Sequence, residues 1–138
     1  MKSFAVLMLF AAPALAAPVP KELKNNSSVE GLWWEARFND TVNSDPAKAR
    51  RFSFNKDGTA GIHSTAGAKP HEYTYAVDKT TEPRSFSWNG TGGREQYRAI
   101  FRIEGDTMYL VFTSVPKPLP KEVKRGVGDV YYELKRVK

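Results

Sequence analysis

Few residues in this chain are equipped for chemistry. His63 and His71 are its two histidines, separated by a connection rich in glycine and proline, so they can face one another across a hairpin. Two imidazoles hold a metal only with a carboxylate and open positions beside them. Glu72 is the sole acid close to them in sequence, and the expectation is a surface pair with no metal. Serines are numerous, yet there is no Gly-x-Ser-x-Gly elbow and nothing in the pattern marks a serine paired with a base. Asp57, Asp78, Asp106 and Asp129 fall at turns or strand ends, where aspartate is expected for its backbone hydrogen bonds. Paired carboxylates for glycoside hydrolysis have no support in the spacing. The chain has no cysteine, which removes disulfides, thiolate metal ligands and the lipid attachment of a bacterial lipoprotein. The expectation is a protein without catalytic residues and without a cofactor.

Aromatic surface is what the sequence offers instead, at 12% of its residues. "EGLWWEARF", residues 30–38, sets Trp33 and Trp34 side by side. Strand alternation puts Leu32, Trp34, Ala36 and Phe38 on one face and Trp33, Glu35 and Arg37 on the other, so pattern alone buries Trp34. The same alternation gathers Trp34, Phe52, Phe54, Tyr73, Tyr75, Phe86, Trp88, Phe101 and Tyr132 on inward faces. Of these, Trp34, Phe54, Tyr73, Tyr75, Trp88, Phe101 and Tyr132 are candidates to line a ligand pocket.

These rings need strands to position them. "RRFSFNKDGTAGIH" alternates Phe52 and Phe54, turns at Asp57-Gly58 and returns as a small strand. "HEYTYAVD" and "RSFSWNG" alternate in the same way. "QYRAIFRIEGDTMYLVFT" is a second hairpin, with Gly105-Asp106 between Tyr97/Ala99/Phe101/Ile103 and Met108/Leu110/Phe112. Three prolines keep "SVPKPLPKEVKRGVG" out of any central strand, and "DVYYELKRVK" closes the chain as a last strand. No segment has helical periodicity. About eight strands with mostly short connections indicate an all-β protein, an up-and-down antiparallel barrel or a sandwich. An eight-stranded barrel is just wide enough to be filled by side chains or to hold one small ligand.

The first residues are of another kind. Lys2, an apolar run and "ALAA" make residues 1–16 a secretory signal, too short for a membrane span. Residues 17–28, polar and proline-flanked, read as a tether, and residues 29–138 as one domain. An exported address, periplasmic or extracellular, follows, and a monomer without a transmembrane segment once the signal is removed. The formal net charge is +6, about +5 without Lys2, which suits an anionic polymer or protein as partner. Lysine and arginine are scattered and form no long block. Recognition helices, zinc-finger spacing and RNP-like aromatics are all missing, so nucleic acid is not an expected partner.

The order of these pieces resembles an uncharacterised lipocalin-like domain family of exported planctomycete proteins. "VEGLWW", "RFSFNKDGTAGI", "YAVDKTTEPRSFSW", "YRAIFRIEGDTMYLVF", "PKPLP" and "VYYELKR" carry the resemblance, from Val29 to Arg136. Two departures stand out: Val29-Glu30 where the family has Leu-Gln, and Leu119-Pro120 where it often has Arg-Pro. The resemblance implies a lipocalin-like up-and-down barrel and implies no activity. It also implies that Trp33 sits at the closed end beside Arg136. Trp33 and Arg136 are then barrel closure, and Trp34 lies under the tether if the chain enters irregularly at Gly31. Ahead of an enzyme with dispersed carboxylates or a two-histidine site, which ranks last, two functions remain open. One is a barrel enclosing a small apolar or amphipathic ligand. The other is a filled barrel that meets an anionic partner through the basic, proline-rich loop Pro116 to Gly126.

Overall fold

A computed structural model describes residues 28–90 and 95–138; the segments expected to be a signal and, but for Ser28, a tether lie outside the described residues. Every regular element among the described residues is a strand. In chain order they are β1 (Gly31–Phe38), β2 (Thr41–Val42), β3 (Arg51–Phe54), β4 (Thr59–His63), β5 (His71–Asp78), β6 (Arg84–Asn89), β7 (Glu95–Glu104), β8 (Thr107–Ser114) and β9 (Val130–Arg136). β2 pairs only with the end of β1. The remaining eight form an antiparallel meander, each strand beside the next, and β9 returns to pair with β1. The barrel is therefore closed and up-and-down, and its wall has no free edge.

Strand direction gives the barrel two ends. At one lie the start of β1, the turns at 55–58 and 105–106, the 79–83 connection and the C-terminus. At the other lie the longer connections 39–50, 64–70 and 115–129 and the end of β6. The first end is called the base here and the second the mouth.

Alternation decides what fills the lower barrel. Phe52 and Phe54, Phe86 and Trp88, Ala99 and Phe101, Met108 and Leu110, and Leu134 share one buried cluster with Trp33. Ring contacts tie it together: Phe54 meets Phe86 at 5.8 Å, and Phe86 meets Phe101 at 5.6 Å. These distances suit edge-to-face and tilted packing, which adds to the gain from burying the rings.

β1 departs from simple alternation at one point. Trp33 pairs with Arg136 and Glu35 with Leu134, but the next partners are Arg37 with Glu133 and Phe38 with Tyr132, so a bulge falls at Ala36. The extra residue lets Trp33, Glu35 and Phe38 all face inward and turns Arg37 outward, where it pairs with Glu133 at 3.1 Å. Trp34 consequently lies outside the barrel, half-buried, with the Lys135 ammonium 5.8 Å from its ring centroid. The alternation that buried Trp34 in the sequence was read one face out of phase.

A second, smaller cluster lies on the outer wall. Ile100, Val111 and Tyr131 face outward and are covered by Leu119 and Val123 of the long loop. Asp129 pins that loop, accepting hydrogen bonds from the Ser114 amide and hydroxyl, each at 2.7 Å, and from Lys117 Nζ at 2.7 Å. Its carboxyl is held far below the usual range, first by the Lys117 bond and then by those from Ser114.

Candidate functional site

The base is sealed by its own residues. Trp33 is fully buried, and its indole N–H donates to the Val29 carbonyl at 2.8 Å. The Arg136 guanidinium lies over that indole, 4.1 Å from the ring centroid, and donates to the carbonyls of Glu30 at 2.8 Å and Ser28 at 3.1 Å. Gly31 is what lets the chain enter so close. Its φ is +126°, a region side-chain-bearing residues avoid, and a Cβ there would lie 2.8 Å from Arg136 Nη1. The Gly-x-Trp pattern thus has a local reason: the glycine makes room for the cation that caps the tryptophan.

The mouth is built differently. Above the filled layers, a cavity of about 330 Å³ opens toward the mouth. Phe52 and Ile62 form one side, Tyr73 and Trp88 the next, and Tyr97, Phe112, Val130 and Tyr132 the remainder. The rings stand at angles to one another, Tyr73 to Trp88 at 5.0 Å, Phe52 to Tyr132 at 5.2 Å and Phe112 to Tyr132 at 5.7 Å. They leave an aromatic-walled cup near the lower end of the range for small-molecule sites, about 300–1,000 Å³.

One charge is placed at its rim. Arg50, just before β3, lies 4.9 Å from the Phe38 ring centroid and 5.7 Å from that of Tyr132, a wall of the cup. Its Nη2 meets Glu35 Oε2 at 2.7 Å. Glu35 is almost fully buried, and its other oxygen accepts from Asn43 Nδ2 at 3.0 Å. A buried carboxylate is tolerable only with such partners. The bulge at Ala36 is what lets Glu35 point inward to meet Arg50 while Phe38 still reaches the mouth. Burial raises the Tyr132 hydroxyl above the ordinary tyrosine value, and the Arg50 charge works against that rise.

The seven residues expected to line a pocket separate by height. Tyr73, Trp88 and Tyr132 line the cup. Phe54 and Phe101 are sealed in the layer below it. Tyr75 packs its ring on Phe54 at 5.2 Å and donates its hydroxyl to the Asn55 carbonyl at the base turn, at 2.8 Å. Trp34 is outside. Ile62, Tyr97, Phe112, Val130 and the Arg50–Glu35 pair were not singled out from sequence. Strand direction is the signal that finds the first four, since they fall at the mouth ends of their strands.

The histidines do not face each other. His71 is registered opposite Ile62, and His63 is registered opposite Arg51 on the outer wall. No cluster of three metal-binding side chains occurs among the described residues. His63 does have a serine that the sequence did not mark: its Nε2 is 3.3 Å from Ser53 Oγ, and its Nδ1 is 2.8 Å from the Ala68 carbonyl. That carbonyl requires an N–H on Nδ1, which makes Nε2 the acceptor from the serine. The pair sits on the outer face of β3 and β4, where Ser53 borders a hollow of about 380 Å³ lined also by Gly61, Pro70 and Glu72. Three of the four cations of the long loop are engaged as well: Lys117 with Asp129, Lys124 with Glu122, and Arg125 with Asp40 at 3.4 Å. A larger hollow of about 1050 Å³ beside β7 is lined mostly by charged side chains of both signs, among them Arg102, Glu104, Glu122 and Lys124, with Phe101 its one aromatic residue.

Comparisons with family models, curated proteins and solved structures find no match to this chain. No helix among the described residues is long and apolar enough to cross a membrane.

Proposed function

We propose that this protein is an exported, non-catalytic lipocalin-like barrel that holds a small apolar or amphipathic molecule in the cup at its mouth. The observation that carries this reading is the contrast within one interior. Rings pack solidly from Trp33 up to Phe54 and Phe101, and then the packing stops and leaves about 330 Å³ walled by aromatic side chains. Protein interiors are close-packed, with few voids larger than a water molecule, so a space of this size requires an explanation. Apolar walls with a few polar groups at one edge are the usual make-up of a small-molecule site. The signal-like first residues supply the reason for an exported address.

The test is titration of the full chain with the neutral fluorescent probe N-phenyl-1-naphthylamine, beside the variant Ile62→Trp. The indole would fill the cup from β4. Saturable binding by the wild-type chain, lost in a variant whose β circular dichroism is unchanged, is the expected result. Probe binding that survives the filled cup would overturn the proposal.

A further inference from the structure

The cup carries information about the charge of its occupant. We infer that its ligand is a small aromatic carboxylate, with its ring among the cup walls and its carboxylate on Arg50; this rests on the ligand-binding reading above. A guanidinium has five N–H donors. Glu35 takes Nη2, and the Tyr132 hydroxyl is also within hydrogen-bonding reach. Donors therefore remain, on a side chain that is 39% exposed at the mouth. Their fork matches a planar carboxylate.

The neighbouring charges favour an anion over a cation. Each acid in the 39–50 and 115–129 connections has a cation on it: Asp40 has Arg125, Asp45 has Lys48, Glu122 has Lys124, and Asp129 has Lys117. Glu35 itself is covered by Arg50 and Asn43. An aromatic cup would otherwise suit a quaternary ammonium, but Arg50 already occupies the Phe38 and Tyr132 rings at the rim and repels a second cation there. The net charge of +6 adds a field that draws anions toward the protein. The ligand's apolar part is set by the walls, whose tilted and edge-to-face rings complete their packing best against another ring.

Arg50→Gln alone would strand the buried Glu35 charge and threaten the fold. Glu35→Gln/Arg50→Gln removes both charges and leaves none orphaned. The experiment measures binding of 2-naphthoate, 2-naphthylmethanol and 2-naphthylmethylamine, by calorimetry or tryptophan fluorescence, to the full chain and to the double variant. In the wild type, naphthoate should bind about tenfold more tightly than the alcohol, the scale of one charged hydrogen-bonding contact. The double variant should bind both alike, with the affinity for the alcohol unchanged. Equal binding of acid and alcohol by the wild type, or tighter binding of the amine, overturns the inference and leaves the cup reading standing. Persistence of the preference for the acid in the double variant overturns the role of Arg50. Binding of none of the three overturns the cup reading, and this inference with it.

Discussion

The base and the mouth of the barrel are made from the same strands and the same alternation of aromatic residues, yet one is closed and the other open. At the base, a fully buried tryptophan is capped by an arginine that also donates to two backbone carbonyls. At the mouth, a half-exposed arginine is held by a buried glutamate to one side of an unfilled cup. Cation–aromatic stacking is therefore used twice, for opposite purposes. What differs is what each guanidinium meets: Arg136 binds two carbonyls of its own chain beneath the barrel, and Arg50 meets a buried carboxylate beside the cup.

The strongest way to break this comparison is at the base. Trp33→Ala removes the largest buried side chain of the closed end and leaves a cavity that backbone and ring neighbours cannot fill. A loss of about 3–5 kcal/mol is expected, measured by urea or guanidinium denaturation. A loss below about 1 kcal/mol, the size of an ordinary surface effect, would mean that the base is not the anchor of the barrel.

Arg136→Ala is the next largest. It deletes a cation–π contact and two charged hydrogen bonds at a partly exposed site, together about 1–3 kcal/mol, and it should shift tryptophan emission because the ring beneath is uncovered. Lys138→Ala is the control. Its bridge to Asp106 at 3.3 Å joins two exposed side chains, and such pairs contribute little. Similar melting temperatures for the two variants would remove Arg136 from the closure.

How much of this was legible before the structure depended on which physical quantity the sequence encodes. Alternation and turn residues encode faces and hairpins, so the eight-stranded meander could be read from Asp57-Gly58, Gly105-Asp106 and the runs between them. The Trp33–Arg136 pairing also follows, because the last strand of a closed meander runs antiparallel beside the first. Trp34 went to the wrong face because unbroken alternation groups it with Phe38, and the bulge between them puts Phe38 inside and leaves Trp34 out. Nothing in "WWEARF" announces that bulge. Its effect is to turn Phe38 inward against Tyr132 and Arg50, which lie on other segments. Height along the barrel was readable and was not used. Phe54, Tyr75 and Phe101 share a face with Trp88, but the direction of each strand puts them below the cup. The Ser53–His63 contact depends on register between two strands and on the 64–70 loop, neither of which leaves a local mark.

Alkaline pH offers a gentler probe of the upper half. Tyr131, under the long loop on the outer wall, has its hydroxyl pushed up to about 12, first by burial and then by its hydrogen bond to Glu133. An unfolded tyrosine ionises near 10. Between those values the folded chain keeps a proton that the unfolded chain has lost, so this contribution is fully present below about pH 10 and falls away as pH rises toward 12. Denaturation midpoints should therefore decline across that window. Tyr131→Phe should flatten the decline, and Tyr132, also raised by burial, should account for part of what is left. A midpoint independent of pH over this range would contradict the covering of Tyr131 by the loop.

The smallest effect on stability, and the sharpest on the comparison, is expected at Tyr97. Its ring lines the cup and meets Phe112 edge-on at 6.4 Å, but 41% of the residue is exposed. Removing it takes little surface out of the folded core and leaves no sealed cavity, because the space joins one already open. Tyr97→Ala should change stability by no more than about 0.5–1 kcal/mol, as a surface substitution does. Binding should respond in the opposite proportion, since a naphthyl probe loses one of the rings that would close around it. Trp33→Ala, in whatever fraction remains folded, should bind the probe as the wild type does. If Tyr97→Ala proved as destabilising as Trp33→Ala while leaving probe binding unchanged, the mouth would be core like the base, and the cup would be a packing gap with no occupant to select.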